Sequence, residues 1–219
     1  MSAAPGAPAR DGPPRDCPLC PRLCAFRAEQ RARFPDWHNA PVPSFGDAEA
    51  RLLVVGLAPG LKGANRTGRP FTGDYAGDLL YQTLGKFGFA RGDYAARADD
   101  GLALVDCRIT NAVRCVPPAN KPEPAEIAQC RGYLEAEIAS MSKLRVMVAL
   151  GAIAHNAALA ALGEKRAAFP FTHGARHRLA SGLELADSYH CSRYNTNTGR
   201  LTASMFETVF ATVRGTLDA

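Results

Sequence analysis

The sequence predicts an α/β protein, a three-layer α/β/α sandwich around a central four-stranded parallel sheet. Two observations lead there. Four short apolar runs, too apolar or too short for amphipathic helices, recur along the chain, and patterns of helical period fill the stretches between them. Strand and helix in alternation imply parallel strands joined by right-handed crossovers, with helices covering both faces of the sheet.

The first run, RLLVVGLAPG from Arg51, is rich in Leu and Val and ends in Gly and Pro, as a buried strand feeding a loop does. LALVDCRIT from Leu102, LRVMVAL from Leu144 and LELADSY from Leu183 read as the other three central strands. The helical patterns are GDLLYQTLGKFGF from Gly77, PAEIAQCRGYLEAEIASM from Pro124 and GAIAHNAALAALG from Gly151; TASMFETVFATVRGTL after the start of the Thr202 segment closes the chain. Ligands of such sheets bind at the carboxyl ends of strands, which here means the loops starting at Gly56, Thr110, Gly151 and His190.

With 219 residues, the chain lies below the size at which a single core usually splits, so residues 16–219 are expected to form one domain. Residues 1–15, rich in Pro, Gly and Ala, read as a disordered tail with no apolar targeting segment. Apolar residues make up 47% and charged residues 21%, which excludes a wholly disordered or fibrous chain. The run Val146 to Leu162 is interrupted by Gly151, His155 and Asn156, against a membrane span. A cytoplasmic monomer is expected, and the net charge of +5 suits a phosphate backbone without proving one.

Seven cysteines without an export signal point to ligation rather than disulfides. Cys17 and Cys20 form a C-x2-C pair, and Cys115 and Cys130 form a second pair with 14 residues between them. Four thiolates from two distant segments can close one site, for zinc or for an iron–sulfur cluster, or can be unrelated buried thiols, and spacing alone does not choose. Cys24 is read as packing on a helix, with competition as a ligand its alternative, and Cys107 as an inert core thiol.

The loop from Gly56 to Asp74 holds five glycines, two prolines, two arginines and one aromatic residue. So much Gly and Pro fixes a backbone at close quarters to a ligand. Neither G-x-G-x-x-G nor the Walker pattern is present, which disfavours nucleoside triphosphates. A pocket for a flat base fits better: Phe71 offers a stacking face, with core packing its alternative; Arg66 and Arg69 suit phosphates, and Asp74 suits a water.

In that order along the chain, GLAPGLKGANRTGRPFTGD, NAVRCVPPANKP and HCSRYNTNTGRLT, with CPLCPRL ahead of them, resemble the family 5 uracil-DNA glycosylases over nearly the whole length from Asp16. The resemblance implies a four-iron, four-sulfur cluster on Cys17, Cys20, Cys115 and Cys130, structural rather than catalytic. It also implies a monofunctional enzyme that flips uracil out of DNA and hydrolyses its N-glycosidic bond, leaving an abasic site. On that reading Gly56, Ala58, Phe71, Asn111 and Ser192 bind the base. His190 donates to uracil O2, Asp74 positions a water or stabilises the cationic sugar, and Asn120 helps hold the water. DNA contacts fall to Arg66, Arg69, Arg193, Tyr194, Asn195 and Arg200, with Arg193 and Tyr194 as the wedge. Arg22, Arg27, Arg31 and Arg33 either track the phosphate backbone beside the cluster or form a solvated helix face.

The chain departs from the family pattern in three loops. Cys191 stands where Pro usually follows the motif histidine, and Lys62 lies where His is usual. Asn111 resembles the uracil-reading amide of family 4 where family 5 often has a small apolar residue, which implies a narrower base range. Leu57 leaves the water-activating duty in the first motif unassigned, and Asp74 takes it instead. The competing readings are a lesion-binding protein with little turnover, motivated by Cys191 and Lys62, and a zinc α/β protein acting on nucleotides.

Overall fold

The computed structural model describes residues 12–219. In chain order the elements are α1 (Pro21–Arg33), β1 (Phe45–Gly46), β2 (Leu52–Gly56), α2 (Ala64–Thr67), α3 (Tyr75–Lys86), β3 (Ala90–Arg91), β4 (Ala103–Leu104) and β5 (Cys107–Asn111). There follow α4 (Pro124–Ser140), β6 (Val146–Leu150), α5 (Ala152–Ala161), β7 (Arg176–Arg178), β8 (Glu184–Ser188), α6 (Arg193–Asn197) and α7 (Ala203–Asp218). The main sheet runs β1-β5-β2-β6-β8-β7.

Its four inner strands, β5, β2, β6 and β8, are mutually parallel, as the sequence predicts. The runs of β2 and β6 are continuously apolar because both faces of these two strands are buried. Leu52 and Val54 of β2 pack toward α3 and α7 with Leu80, Leu84, Phe206 and Phe210. Leu53 and Val55 pack toward α4 and α5 with Leu134, Ala158 and Leu159. The layers are therefore helix, sheet and helix.

The expectation of four strands needs correction, because an antiparallel strand closes each edge of the sheet. One is only Phe45–Gly46, and the other is Arg-His-Arg, so neither carries an apolar signature; charge on an edge strand blocks pairing with other chains. The run from Leu102 is not one strand either. Asp106 adopts φ 51° and breaks it, sending β4 to a small ribbon with β3 while β5 joins the main sheet. The Asp106 carboxylate accepts the Arg51 backbone N–H at 2.8 Å and its Nε–H at 2.7 Å, which fixes that corner.

Most of the tail expected before Asp16 lies outside the described residues. Its inner end is held: Pro14 C=O accepts from Cys17 N–H at 2.9 Å, and Arg15 C=O accepts from Arg31 at 3.1 Å. Among the described residues, no helix is long and apolar enough to cross a membrane.

Candidate active site

The carboxyl ends of β2 and β5 stand side by side, with Gly56 in register with Asn111. A side chain at Gly56 would collide with the Asn111 amide oxygen, and its Cβ would sit 2.6 Å from Phe71 Cζ. Only glycine lets the amide and the aromatic ring share this floor. Asn111 is buried, and among the described residues its Oδ1 has no hydrogen-bond partner. Buried polar atoms are nearly always paired, so an open acceptor at the base of a cavity points to a ligand that donates.

Phe71 is held in the left-handed region at φ 52° by its neighbours. Tyr81 donates its hydroxyl to Pro70 C=O at 2.6 Å, and Tyr94 donates to Phe71 C=O at 3.2 Å. The ring is only 7% exposed, yet it lines a cavity of 560 Å³ with Asn111, Asp74 and His190. The cavity is open, and its size suits one base and its sugar.

His190 follows β8, its ring centroid 6.0 Å from that of Phe71 and the planes inclined by 30°. Burial lowers its pKa to about 4, so the imidazole is neutral near pH 7 and carries one N–H to donate. Asn195 donates its amide to His190 C=O at 2.8 Å. Asp74 is the N-cap of α3, accepting from Gly77 N–H at 3.2 Å. Burial raises its pKa, opposed by the N–H groups of Gly77 and Ala76. Its second oxygen lies beneath the loop, where side chains at Gly60 or Gly63 would strike it.

The other predicted residues divide. Ala58, Asn120, Ser192 and Arg193 line the same cavity. Ser192 also caps α6, accepting from Asn195 N–H at 3.4 Å. Tyr194 is 73% exposed at the rim, Arg193 lies 5.4 Å over the Tyr75 ring, and Arg200 lies 4.6 Å over the Tyr189 ring. Arg66 is exposed beside Gly73 and donates to Lys62 C=O.

Arg69 is a correction. It is 4% exposed and donates two hydrogen bonds to Asp100, at 2.8 and 2.7 Å, and another to Thr72 at 2.8 Å. Phe45, Tyr81 and Tyr94 surround its guanidinium, so it braces the Phe71 loop and does not meet DNA. Asn195 likewise turns its amide inward to His190 rather than outward to DNA. The basic helix face is mostly engaged as well: Arg22 pairs with Glu126, Arg31 with Asp16, and Arg27 is buried against the cysteines. Sequence reasoning missed Tyr75, which lines the cavity because α3 begins at Tyr75, capped by Asp74, rather than at Gly77; an Asp followed by a helical pattern is a start signal.

Of the departures, Cys191 is buried outside the cavity, its Sγ–H donating to Ala76 C=O at 3.4 Å. Lys62 is exposed and not among the residues lining the cavity.

On the far side of the first loop, Cys17, Cys20, Cys115 and Cys130 line one pocket together with Cys24, Leu23 and Tyr133. Cys24 is thus part of that wall, its Sγ–H donating to Cys17 C=O at 3.1 Å. Arg27 donates to Cys115 Sγ at 3.5 Å, and the Arg114 backbone N–H to Cys130 Sγ at 3.4 Å. Burial pushes the Cys20 thiol up to about 11 and the Cys115 thiol up to about 12. Such thiols stay protonated unless a metal displaces the proton. Cys107 is a buried core residue, as expected.

A parallel sheet whose strand-end loops carry a stacking ring, an open amide, a neutral imidazole and a half-buried carboxylate defines an α/β protein built to hold a heterocyclic base. The profile of the uracil DNA glycosylase superfamily matches residues 43–214, more than half of the chain. The type-5 uracil-DNA glycosylase of Thermus thermophilus is 50% identical over 196 residues, 87% of this chain and 89% of the relative. That of Mycobacterium tuberculosis is 43% identical over 202 residues, covering 89% and 75%, and that of Pyrobaculum aerophilum 41% over 191 residues, covering 85% and 83%. The chain belongs to the type-5 uracil-DNA glycosylase family.

Proposed function

We infer that the chain is a uracil-DNA glycosylase, a hydrolase that excises uracil from DNA. The observation that carries the chemistry is the unpaired Asn111 Oδ1 beside Phe71 and neutral His190. Uracil inside a duplex is out of reach, so its nucleotide rotates into the cavity at a cost of a few kcal/mol. Stacking on Phe71 returns roughly 1–3 kcal/mol. The Asn111 Oδ1 accepts uracil N3–H while its amide N–H groups donate to the neighbouring carbonyl. Cytosine has an acceptor where uracil has that N–H, so the pair of contacts fails for it.

Breaking the glycosidic bond leaves positive charge on the sugar and negative charge on the base. His190, neutral and positioned, donates to uracil O2 as the charge develops there; one donor of this kind is worth about 2.7–4 kcal/mol. Asp74 supplies a fixed negative charge for the sugar or holds the attacking water, with Asn120 at the exposed rim. Tyr194 and Arg193 act as the wedge. The product is abasic DNA, and the protein works as a monomer. The lesion-binding alternative loses its motive, because neither Cys191 nor Lys62 lines the cavity.

For the cysteine pocket, the donor set supports a four-iron, four-sulfur cluster held by Cys17, Cys20, Cys115 and Cys130. All four side chains line one pocket, so a single group can be held by them together. When bound, the cluster would cross-link the segment leading into α1 (Cys17, Cys20), the loop after β5 (Cys115) and α4 (Cys130). The test of the whole reading is a single-turnover time course on uracil, cytosine, hypoxanthine and xanthine oligonucleotides. Uracil excision with Asn111→Ala slowed at least about tenfold is expected; equal rates for wild type and Asn111→Ala would overturn the recognition step.

A further inference from the structure

Asp187, wholly buried on β8, lies three residues before His190. Its Oδ1 takes His155 Nδ1–H at 2.7 Å and its Oδ2 takes His177 Nε2–H at 2.9 Å. The three side chains also fit the loose geometry of a metal site. Each oxygen, however, serves one imidazole at hydrogen-bond length, and the far nitrogen of His155 donates to Phe169 C=O at 2.8 Å. The trio is a hydrogen-bonded clamp, and what it clamps is the segment 169–175.

Thr172 N–H donates to Asp187 Oδ2 at 3.3 Å, and Gly174 N–H donates to Asp187 C=O at 2.8 Å. His173 sits between these two anchors. Its ring stacks on Tyr189 with centroids 4.9 Å apart and planes 17° apart, and its Nδ1 accepts the Tyr189 backbone N–H at 3.1 Å. Tyr189 immediately precedes His190, whose carbonyl is held from the opposite side by Asn195. The exposed Arg200 lies over the same tyrosine.

We propose that His173 is a positioning residue for His190, its Nδ1 accepting the Tyr189 N–H so that the imidazole is presented to the departing base in one orientation. This rests on the reading of His190 as the donor to uracil. Without that acceptor, the Tyr189 N–H is left unsatisfied at the hinge of the catalytic loop, and the loop gains an alternative conformation in which His190 misses the base. Burial keeps the His173 pKa low, consistent with an unprotonated Nδ1.

The test separates acceptor from stacking. His173→Phe keeps the ring and removes the acceptor; His173→Asn keeps an acceptor close to the Nδ1 position and loses the ring. Single-turnover excision is expected to slow roughly tenfold in H173F and to stay within about threefold of wild type in H173N. Affinity for DNA carrying 2′-fluorodeoxyuridine, which resists cleavage, is expected to stay within about twofold in both, since neither touches the base. A wild-type rate in H173F, or an H173N as slow as H173F, overturns the proposal. If H173F does not fold, a long-range ¹⁵N–¹H spectrum of the wild-type protein decides: His173 protonated at Nε2 alone supports the proposal, and protonation at Nδ1 refutes it. Failure of the His190 reading registers separately, as a wild-type rate in His190→Ala.

Discussion

Asp74 does two jobs that substitution can pull apart. It caps α3 through Gly77 N–H and turns a half-buried carboxylate toward the cavity. Asn is as good an N-cap as Asp, so Asp74→Asn keeps the helix start and removes only the charge; Asp74→Ala removes both and forfeits about 1 kcal/mol of capping. Because burial raises the Asp74 pKa, the folded state binds more protons than the unfolded state between the ordinary carboxylate value and the raised one. Stability from this group is therefore greatest below that window and falls as pH rises through it. At pH 7 the wild-type protein bears the cost of an ionised, partly desolvated carboxylate, and D74N does not. The expected result is a D74N protein at least as stable as wild type in urea at pH 7, with an advantage that shrinks toward pH 4. Its single-turnover excision should be slower by about a hundredfold, the size of one lost charge-stabilising contact. A wild-type excision rate in D74N would reduce Asp74 to a helix cap and refute its catalytic assignment. A D74N protein markedly less stable than wild type would refute the electrostatic argument.

His190, whose pKa burial lowers to about 4, makes the unfolded state the better proton binder below about pH 6.5, so wild-type stability should fall as pH drops from there to about 4. His190→Asn should lack that component in denaturation curves measured across the window. Breaking the Arg69–Asp100 pair with Arg69→Met should destabilise the fold by about 3–5 kcal/mol, the usual cost of orphaning a buried partner. Salt dependence of DNA binding in the folded fraction should be unchanged, and a reduced salt slope would restore Arg69 as a phosphate contact. Gly56→Ala should fold, because the side chain enters the cavity end of β2, yet uracil excision should drop at least tenfold as Phe71 and Asn111 are pushed aside; a normal rate would show the floor is not where the base sits. Replacing Cys17, Cys20, Cys115 or Cys130 with Ser should abolish broad visible absorption near about 400 nm, whereas Cys24→Ser should retain it.

The two central strands were the most legible because burial on both faces leaves no polar position in them: Leu52 to Val55 and Val146 to Leu150 are apolar throughout, whereas β5 and β8 mix polar residues into the run. The edge strands were not, since two or three residues with one polar face carry too little pattern to read. The break at Asp106 was hidden for a related reason: its left-handed turn is stabilised by Arg51, which is distant in sequence. In the site, Phe71, Asp74, Asn111 and His190 share the cavity that their loops suggested. Arg69 misled because its partner Asp100 lies in another loop, and nothing local distinguishes a bracing arginine from a phosphate-binding one. The His173 link was invisible for the same reason, being made entirely by contacts across chain segments.

Ala58 is a wall with two rooms. One side borders the cavity for the base, and the other packs beside Cys20, Cys115 and Cys130. Its neighbour Leu57 is tied by its carbonyl to Val113 N–H at 3.0 Å, in the strand end leading to Cys115. With the proposed cluster seated there, its loss would slacken the partition from behind while every reacting side chain stayed chemically intact. On that proposal, turnover per milligram across preparations is expected to track iron content, and turnover independent of iron content would count against it.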